Sequence, residues 1–403
     1  MPRGRQVLAF GVFGYAAAWA FGAQALYPVA LGLIVAAGLA WLTVRLSRGP
    51  ARLSRTLGAG EHLEGDDVPV ELELELASRF RLSSVKVVER VERIGELETA
   101  LRRRDGRYVG GYVLHRLPRG RYSFAGAAAV LEDPLGLERI EVPLPAGPAV
   151  LVLPRLVELE RLFSERGTGR GEGRGLLLRR PSGFDLHSVR EYERGESLRK
   201  VHWRSTAHRG QLMVKELEEA HQDEVAVVLD ARGGGRVGAA LEASFDVQVR
   251  AAGSIVRAHV RRGRSALLVV NDAGEESLRV RSERDWQGAL DRLAAVVPTG
   301  SRSPIALVSG DANAAARALE LTLVTADLSP EIADRLLQRA LARRAVSVVY
   351  VDAASFSAKR RAARRSPQLA RLAAAGVPVA VLARGDDLSH ALSGTGLTRA
   401  AGA

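Results

Sequence analysis

The side chains best equipped for chemistry crowd into one run between residues 190 and 209. Arg190, Tyr192, Arg194, Arg199, Trp203, Arg204 and Arg209 fall within it, punctuated by the turn-forming Gly195 and Gly210. Arginine and tryptophan both join a broad flat face to hydrogen-bond donors, so the run suits a surface that packs against something. Its apolar positions keep neither a helical nor a strand period for long, and core burial alone does not account for it. Three uses are open. In the first, Arg190, Arg199 and Arg204 pair with carboxylates or backbone carbonyls while Trp203 fills a junction between domains, a structural clasp. In the second, exposed arginine and tryptophan form a partner-binding surface, as interface hot spots do. In the third, the arginines hold an anionic substrate. His202 and His208 are the imidazoles at hand, and no serine–histidine–carboxylate order accompanies them.

Other chemistries are narrowed by composition. The chain has 403 residues, a formal net charge of +12 and no cysteine. Thiol nucleophiles, disulfides and zinc–thiolate sites are therefore excluded. Arginine and glutamate are interspersed along most of the chain, which marks a solvated surface; a nucleic-acid partner would call for a one-signed stripe. Ser164–Gly175, SERGTGRGEGRG, lacks the Gly-Lys-Ser/Thr of a phosphate loop and reads as a mobile connector. Lys359-Arg360-Arg361 with Arg364-Arg365 reads as a solvated helix face, with contact to anionic lipid as the alternative.

The elements that must carry these residues fall into four segments. Residues 1–46 hold no charge between Arg5 and Arg45, a run of roughly 58 Å as helix and enough for two crossings of a ~30 Å hydrocarbon core. We expect helices over Val7–Phe21 and Leu26–Val44 joined by a tight turn at Gly22–Ala25. Trp19 and Tyr27 lie near one interface and Trp41 near the other. Arg3 and Arg5 before the pair, with Arg45, Arg48, Arg52 and Arg55 after it, place both ends and the remaining chain in the cytoplasm. Ala23-Gln24-Ala25 also fits a signal-peptide cleavage site, and the second helix would then still anchor the chain. Residues 60–155 read as an antiparallel β-sandwich. Val68–Leu76, VPVELELEL, alternates apolar and acidic, and Val85–Val91, Tyr108–Leu117 and Tyr122–Val130 follow between turns.

Residues 156–221 hold the connector and the arginine-rich run. Residues 222–403 read as α/β. Strands are expected at Val225–Leu229, Ala266–Val270, Ile305–Val308, Leu321–Thr325, Val346–Val351 and Val377–Leu382. Helices at Ala239–Arg261, Pro330–Arg344 and Pro367–Ala375 lie between them, which implies a parallel sheet covered on both faces.

A family resemblance joins these segments. The order Gly183-Phe184-Asp185, Arg190-Glu191-Tyr192, Gly195-Glu196, Arg199, His202-Trp203, Ala207, Arg209 and Val214-Lys215-Glu216 resembles the hallmark of the domain of unknown function 58 family. Asp133-Pro134-Leu135-Gly136-Leu137 resembles the turn that closes the β-sandwich in that bacterial family. Glu196 stands where the family usually has aspartate, and His208 where it usually has arginine. The resemblance implies a membrane hairpin, a β-sandwich and a von Willebrand factor A-like domain. It also implies an interaction protein without enzymatic activity or cofactor, acting with a MoxR-type AAA+ ATPase in assembly or maturation of other proteins. Domains of the von Willebrand class often hold a divalent cation on Asp-x-Ser-x-Ser. Here the run is Asp230-Ala231-Arg232-Gly233-Gly234, with both hydroxyls gone, so the site is degenerate. Asp327 stands where the class often places another ligand. The two carboxylates either keep a metal with waters or pair with Arg232, and the second is the stronger expectation.

Overall fold

The computed structural model describes residues 3–78, 84–166, 185–192, 201–218, 224–272, 277–309, 313–357 and 366–394. Two compact units divide the chain, Met1–Leu153 and Pro154–Ala403.

The first unit begins with helices Arg3–Phe21 and Leu26–Ser47. Only the second is both long and apolar enough to cross a membrane, on length and composition, among the described residues. Small residues make their contact possible. Gly11 lies against the Ala30 carbonyl and Ile34, where a Cβ would clash, and Tyr15 meets Tyr27 edge-on.

Ten strands follow: β1 (Ala51–Leu57), β2 (His62–Leu63), β3 (Val68–Leu76), β4 (Ser84–Val91), β5 (Gly95–Arg104), β6 (Arg107–Leu114), β7 (Gly120–Tyr122), β8 (Phe124–Glu132), β9 (Arg139–Leu144) and β10 (Val150–Leu153). They form a seven-stranded antiparallel sheet, β1-β3-β6-β5-β4-β8-β9, and a three-stranded sheet, β2-β10-β7. The period-two pattern of β3 is realised as alternate burial, with Val68, Val70, Leu72 and Leu74 facing a core shared with Val87, Tyr122 and Phe124. Tyr122–Val130, expected as one strand, is two, because the chain changes sheet between Tyr122 and Phe124. A charged pair sits inside. The Arg55 Nε donates to a wholly buried Glu89 at 2.6 Å, and the Tyr112 hydroxyl donates to the other carboxylate oxygen at 2.7 Å. Burial, then that hydrogen bond, drives the Tyr112 phenol well above its ordinary range.

In the second unit β11 (Asp185–Glu191) and β12 (Met213–Glu218) form an antiparallel pair. The main sheet comprises β13 (Val225–Leu229), β14 (Ala266–Val270), β15 (Ser277–Val280), β16 (Glu320–Thr325), β17 (Ala345–Val351) and β18 (Val379–Leu382). Its order is β15-β14-β13-β16-β17-β18. All neighbours run parallel except β15, which is antiparallel to β14 and makes the sheet mixed. β13 is buried along its whole length, as a continuous apolar run in a sheet covered on both faces must be. Helix Ser244–Arg261 packs on β13, β14, β16 and β17, while Ile332, Leu336 and Leu372 from helices Pro330–Leu341 and Pro367–Ala374 join the core containing Ala226, Val228, Leu321, Leu323 and Val348.

Ile305–Val308, expected as a strand, is instead part of the helix Pro304–Val308. The Ser303 hydroxyl accepts from the Ile305 amide and Pro304 occupies the first helical position, so a cap and a preset φ outweigh the β propensity of Ile and Val. The helix expected from Ala239 starts at Ser244, after a turn in which the Ser244 hydroxyl accepts from the Val237 amide.

Candidate functional site

The hallmark run is built on β11 and β12. Val214 pairs with Arg190 on one side and bridges to Val201 on the other, so the chain passes three times through one small patch. Val201, Met213 and Val214 are buried beneath it. Over them lies the short helix Trp203–Arg209, far below the length at which a helix is stable alone. Three contacts hold it. The His202 Nδ1 accepts from the Ser205 amide at 3.2 Å as an N-cap. Gly210 takes φ +67° and closes the last turn on the Thr206 carbonyl, a geometry glycine adopts without strain. The Thr206 hydroxyl accepts from the Met213 amide at 3.0 Å.

The sequence-derived residues fare differently. Trp203 is 66% exposed, and Arg204 and Arg209 are exposed as well. Arg204 and Arg209 make no ion pair among the described residues. Tyr192 is half-buried, with its amide donating to the Leu212 carbonyl at 2.9 Å. Gly183, Gly195 and Arg199 lie outside the described residues, as do the side chains of Asp185 and Arg190 and the basic cluster from Lys359 to Arg365. His202 is committed to capping.

A second constellation lies at the carboxyl ends of the parallel strands. β13 is flanked by β14 on one side and β16 on the other, so the chain departs in opposite directions from this point, where α/β sheets open a crevice. Asp230 follows β13, Asn271 follows β14, Thr325 ends β16 and Asp327 comes just after. Asp230 is 4% exposed, and the described structure fills both of its oxygens. Oδ1 accepts from Arg232 Nε at 3.0 Å and Asn271 Nδ2 at 3.0 Å; Oδ2 accepts from Arg232 Nη2 at 2.8 Å and the Thr325 hydroxyl at 2.7 Å. Arg232 Nη2 also reaches Asp327 Oδ2 at 3.3 Å, so one guanidinium bridges both carboxylates. The hydrogen bond to Asp230 comes first among the causes that raise the Arg232 pKa, with burial opposing it.

The surrounding backbone fixes this arrangement. Asn271 Oδ1 accepts from the Ala231 amide, and Nδ2 also donates to the Arg302 carbonyl. Gly300 donates to the Ala231 carbonyl, and a Cβ there would stand 2.3 Å from the Asn271 carbonyl oxygen. Asn271, Thr325 and Gly300 escaped the sequence reading. The signal available was position alone: a polar residue directly after, or at the end of, an apolar strand. Chemically, Asp230 has no free lone pair for base catalysis, and the trio of two carboxylates and one guanidinium carries one net negative charge. The guanidinium bridges the two carboxylates, the arrangement expected when Arg232 replaces a cation. Among the described residues no group of three or more His, Asp or Glu has metal-ligand geometry.

One family match covers the second constellation and all but the first residues of the hallmark run. Residues 188–357 match the family described as "Protein of unknown function DUF58". No curated protein matches the sequence. Among solved structures, Cwp6 from Clostridium difficile aligns at 10% identity with a TM-score of 0.21, over 83% of this chain and 46% of that one, a likeness too slight to carry an argument. The chain thus spans about half the length of that structure.

Proposed function

We propose that this chain is a membrane-anchored, cytoplasm-facing interaction protein without enzymatic activity. In this reading its helices Arg3–Phe21 and Leu26–Ser47 form a membrane hairpin. The α/β unit is of the von Willebrand factor A-like class, and the partner is a MoxR-type AAA+ ATPase engaged in assembly or maturation of other proteins. The observation that carries the interaction reading is Trp203, two-thirds exposed on a helix whose caps and underlying residues hold it in place. A large aromatic presented on a pre-ordered support binds with little loss of conformational entropy, as an interface anchor requires. Asp230 at the carboxyl end of the central parallel strand supports the von Willebrand class. The ATPase partner rests on the family resemblance alone.

The test uses the full chain in lipid nanodiscs and a purified MoxR-type ATPase from the same cell, with and without ATP. We expect binding in one nucleotide state, weakened about 10- to 30-fold by Trp203→Ala with unfolding behaviour unchanged. Absence of binding in both states would overturn the partner; binding indifferent to Trp203→Ala would overturn the surface. Arg204 and Arg209, exposed and without an ion pair among the described residues, favour a second reading, an anion-binding protein or enzyme using residues 190–209. That reading instead predicts small-anion binding lost in Arg204→Ala.

A further inference from the structure

The turn Asp133–Leu137, part of the family resemblance, has no part in either constellation, yet side-chain and backbone hydrogen bonds both hold it. The Asp133 carboxylate is buried and accepts from the Leu135 amide at 2.8 Å and the Glu138 amide at 2.6 Å. Gly136 closes the turn at φ +65°, donating to the Asp133 carbonyl. This framework holds out Leu135, an apolar side chain 63% exposed. The turn meets the start of the first helix, where the Gly4 amide donates to the Leu137 carbonyl at 2.7 Å.

The end of the second helix reaches the same end of the sheet. The Ser78 hydroxyl donates to the Leu46 carbonyl at 3.3 Å, and the Ala77 amide to the Pro50 carbonyl at 3.0 Å. The strand register brings a further element there. Pro50, Ala51, Leu76 and Ala77 line one shallow depression with Asp105 and Gly106, the tip of the β5–β6 hairpin. Just before that tip stand three consecutive exposed arginines, Arg102, Arg103 and Arg104. Arg102 and Arg103 make no ion pair among the described residues, and Arg104 has only the exposed Asp105 at 3.8 Å. Arg48 and Arg52 are exposed and make no ion pair among the described residues, and Arg52 lines the same depression.

We propose that this helix-proximal end of the sheet is a lipid-contact surface, with Leu135 entering the interfacial layer and Arg102–Arg104 binding anionic headgroups. The proposal rests on the membrane-anchor reading. If the helices cross a bilayer, their cytoplasmic ends carry this face to the headgroups, and its charge is of the sign that anionic lipid attracts. An apolar residue on a rigid turn beside basic residues matches a surface that is oily and charged in adjacent layers.

The absence of native cysteine gives a clean test. Leu135→Cys and Ile94→Cys carry a polarity-sensitive fluorophore in the full chain, reconstituted into phosphatidylcholine vesicles with or without phosphatidylglycerol. Ile94 sits in the turn after Val91, at the far end of β4, roughly 25 Å along the strand. We expect the label at 135 to shift to the blue and to be quenched by nitroxide-bearing lipid, more strongly in anionic vesicles, and the label at 94 to do neither. Replacing Arg102, Arg103 and Arg104 by serine removes the anionic preference while matching thermal unfolding shows an intact fold. Two failures are distinguishable. If the chain floats with vesicles through a high-salt wash but position 135 is quenched no more than position 94, this surface is overturned and the anchor stands. If the chain does not float, the anchor falls and takes this surface with it.

Discussion

Arg55 illustrates how a charge changes meaning once its neighbours are known. In the sequence it belongs with the positive residues that follow the apolar segment. In the fold it lies inside the sheet against the wholly buried Glu89, with its guanidinium 5.8 Å from the Phe124 ring centre. Arg55→Met would leave Glu89 as an uncompensated buried charge, and we expect a loss of about 3–5 kcal/mol in denaturant unfolding. Adding Glu89→Leu should recover most of it, with a remainder because the Tyr112 hydroxyl then lacks its acceptor; Tyr112→Phe should remove that remainder. His259 is a second buried titratable group. Burial, then Arg264 and Arg262, push its imidazole down from 6.5 to about 3, so it is neutral in the native state. Below its ordinary pKa the unfolded chain binds a proton that the native chain refuses. Its contribution to stability is therefore fully present above pH 6.5 and is lost as pH falls from 6.5 towards 3. The slope is at most about 1.4 kcal/mol per pH unit. His259→Gln should flatten the pH dependence of unfolding across that window relative to wild type. The Arg55–Glu89 pair was not legible in the sequence, because the two stand 34 positions apart on β1 and β4, strands that meet only once the sheet has folded and do not pair with each other.

At the scale of elements, the residues that hold the sheet's carboxyl edge together act through backbone approach. Gly300→Ala would drive a Cβ to 2.3 Å from the Asn271 carbonyl oxygen and 3.0 Å from the Ala231 carbonyl oxygen, both main-chain atoms that cannot swing aside. The loop carrying Arg232 must then move off β14. We expect about 1–3 kcal/mol of destabilisation. Gly234→Ala in the same loop, where an added Cβ meets nothing within 4 Å, should be nearly neutral. Comparative urea unfolding of the two variants checks this, and equal effects would contradict it. Elements with a long, uniform pattern were legible: β3, β13 and β14 lie where alternation or an unbroken apolar run predicts them. The helix Pro304–Val308 was not, because five apolar-rich residues look alike in either state and a serine cap with proline decides the matter. The Asp230–Arg232 pair was legible because aspartate and arginine two residues apart at a strand end can meet locally. Thr325 and Asn271, reaching Asp230 from neighbouring strands, depended on sheet order.

For the whole molecule, the strongest competing account of any membrane affinity is charge. A chain with a net charge of +12 would adhere to anionic lipid without crossing it. The helix Leu26–Ser47 offers a different mechanism. Its 22 residues span roughly 33 Å, enough for a ~30 Å hydrocarbon core, and Leu31, Val35, Leu39 and Leu42 are exposed along it. Those side chains, left in water, are the cost that a bilayer would remove. The two mechanisms part under salt. At 1 M the Debye length shrinks to about 3 Å, so an electrostatically held chain is released, whereas apolar burial is undiminished. We expect the full chain to stay with phosphatidylcholine–phosphatidylglycerol vesicles through 1 M salt and alkaline washing, and to stay equally with neutral vesicles. Placing arginines at Leu31, Val35 and Leu39 should abolish that retention, because each charge near a bilayer centre costs about 2.5–3.5 kcal/mol. Release of the unaltered chain by salt alone would show that its basic surface, and not this helix, holds it to lipid.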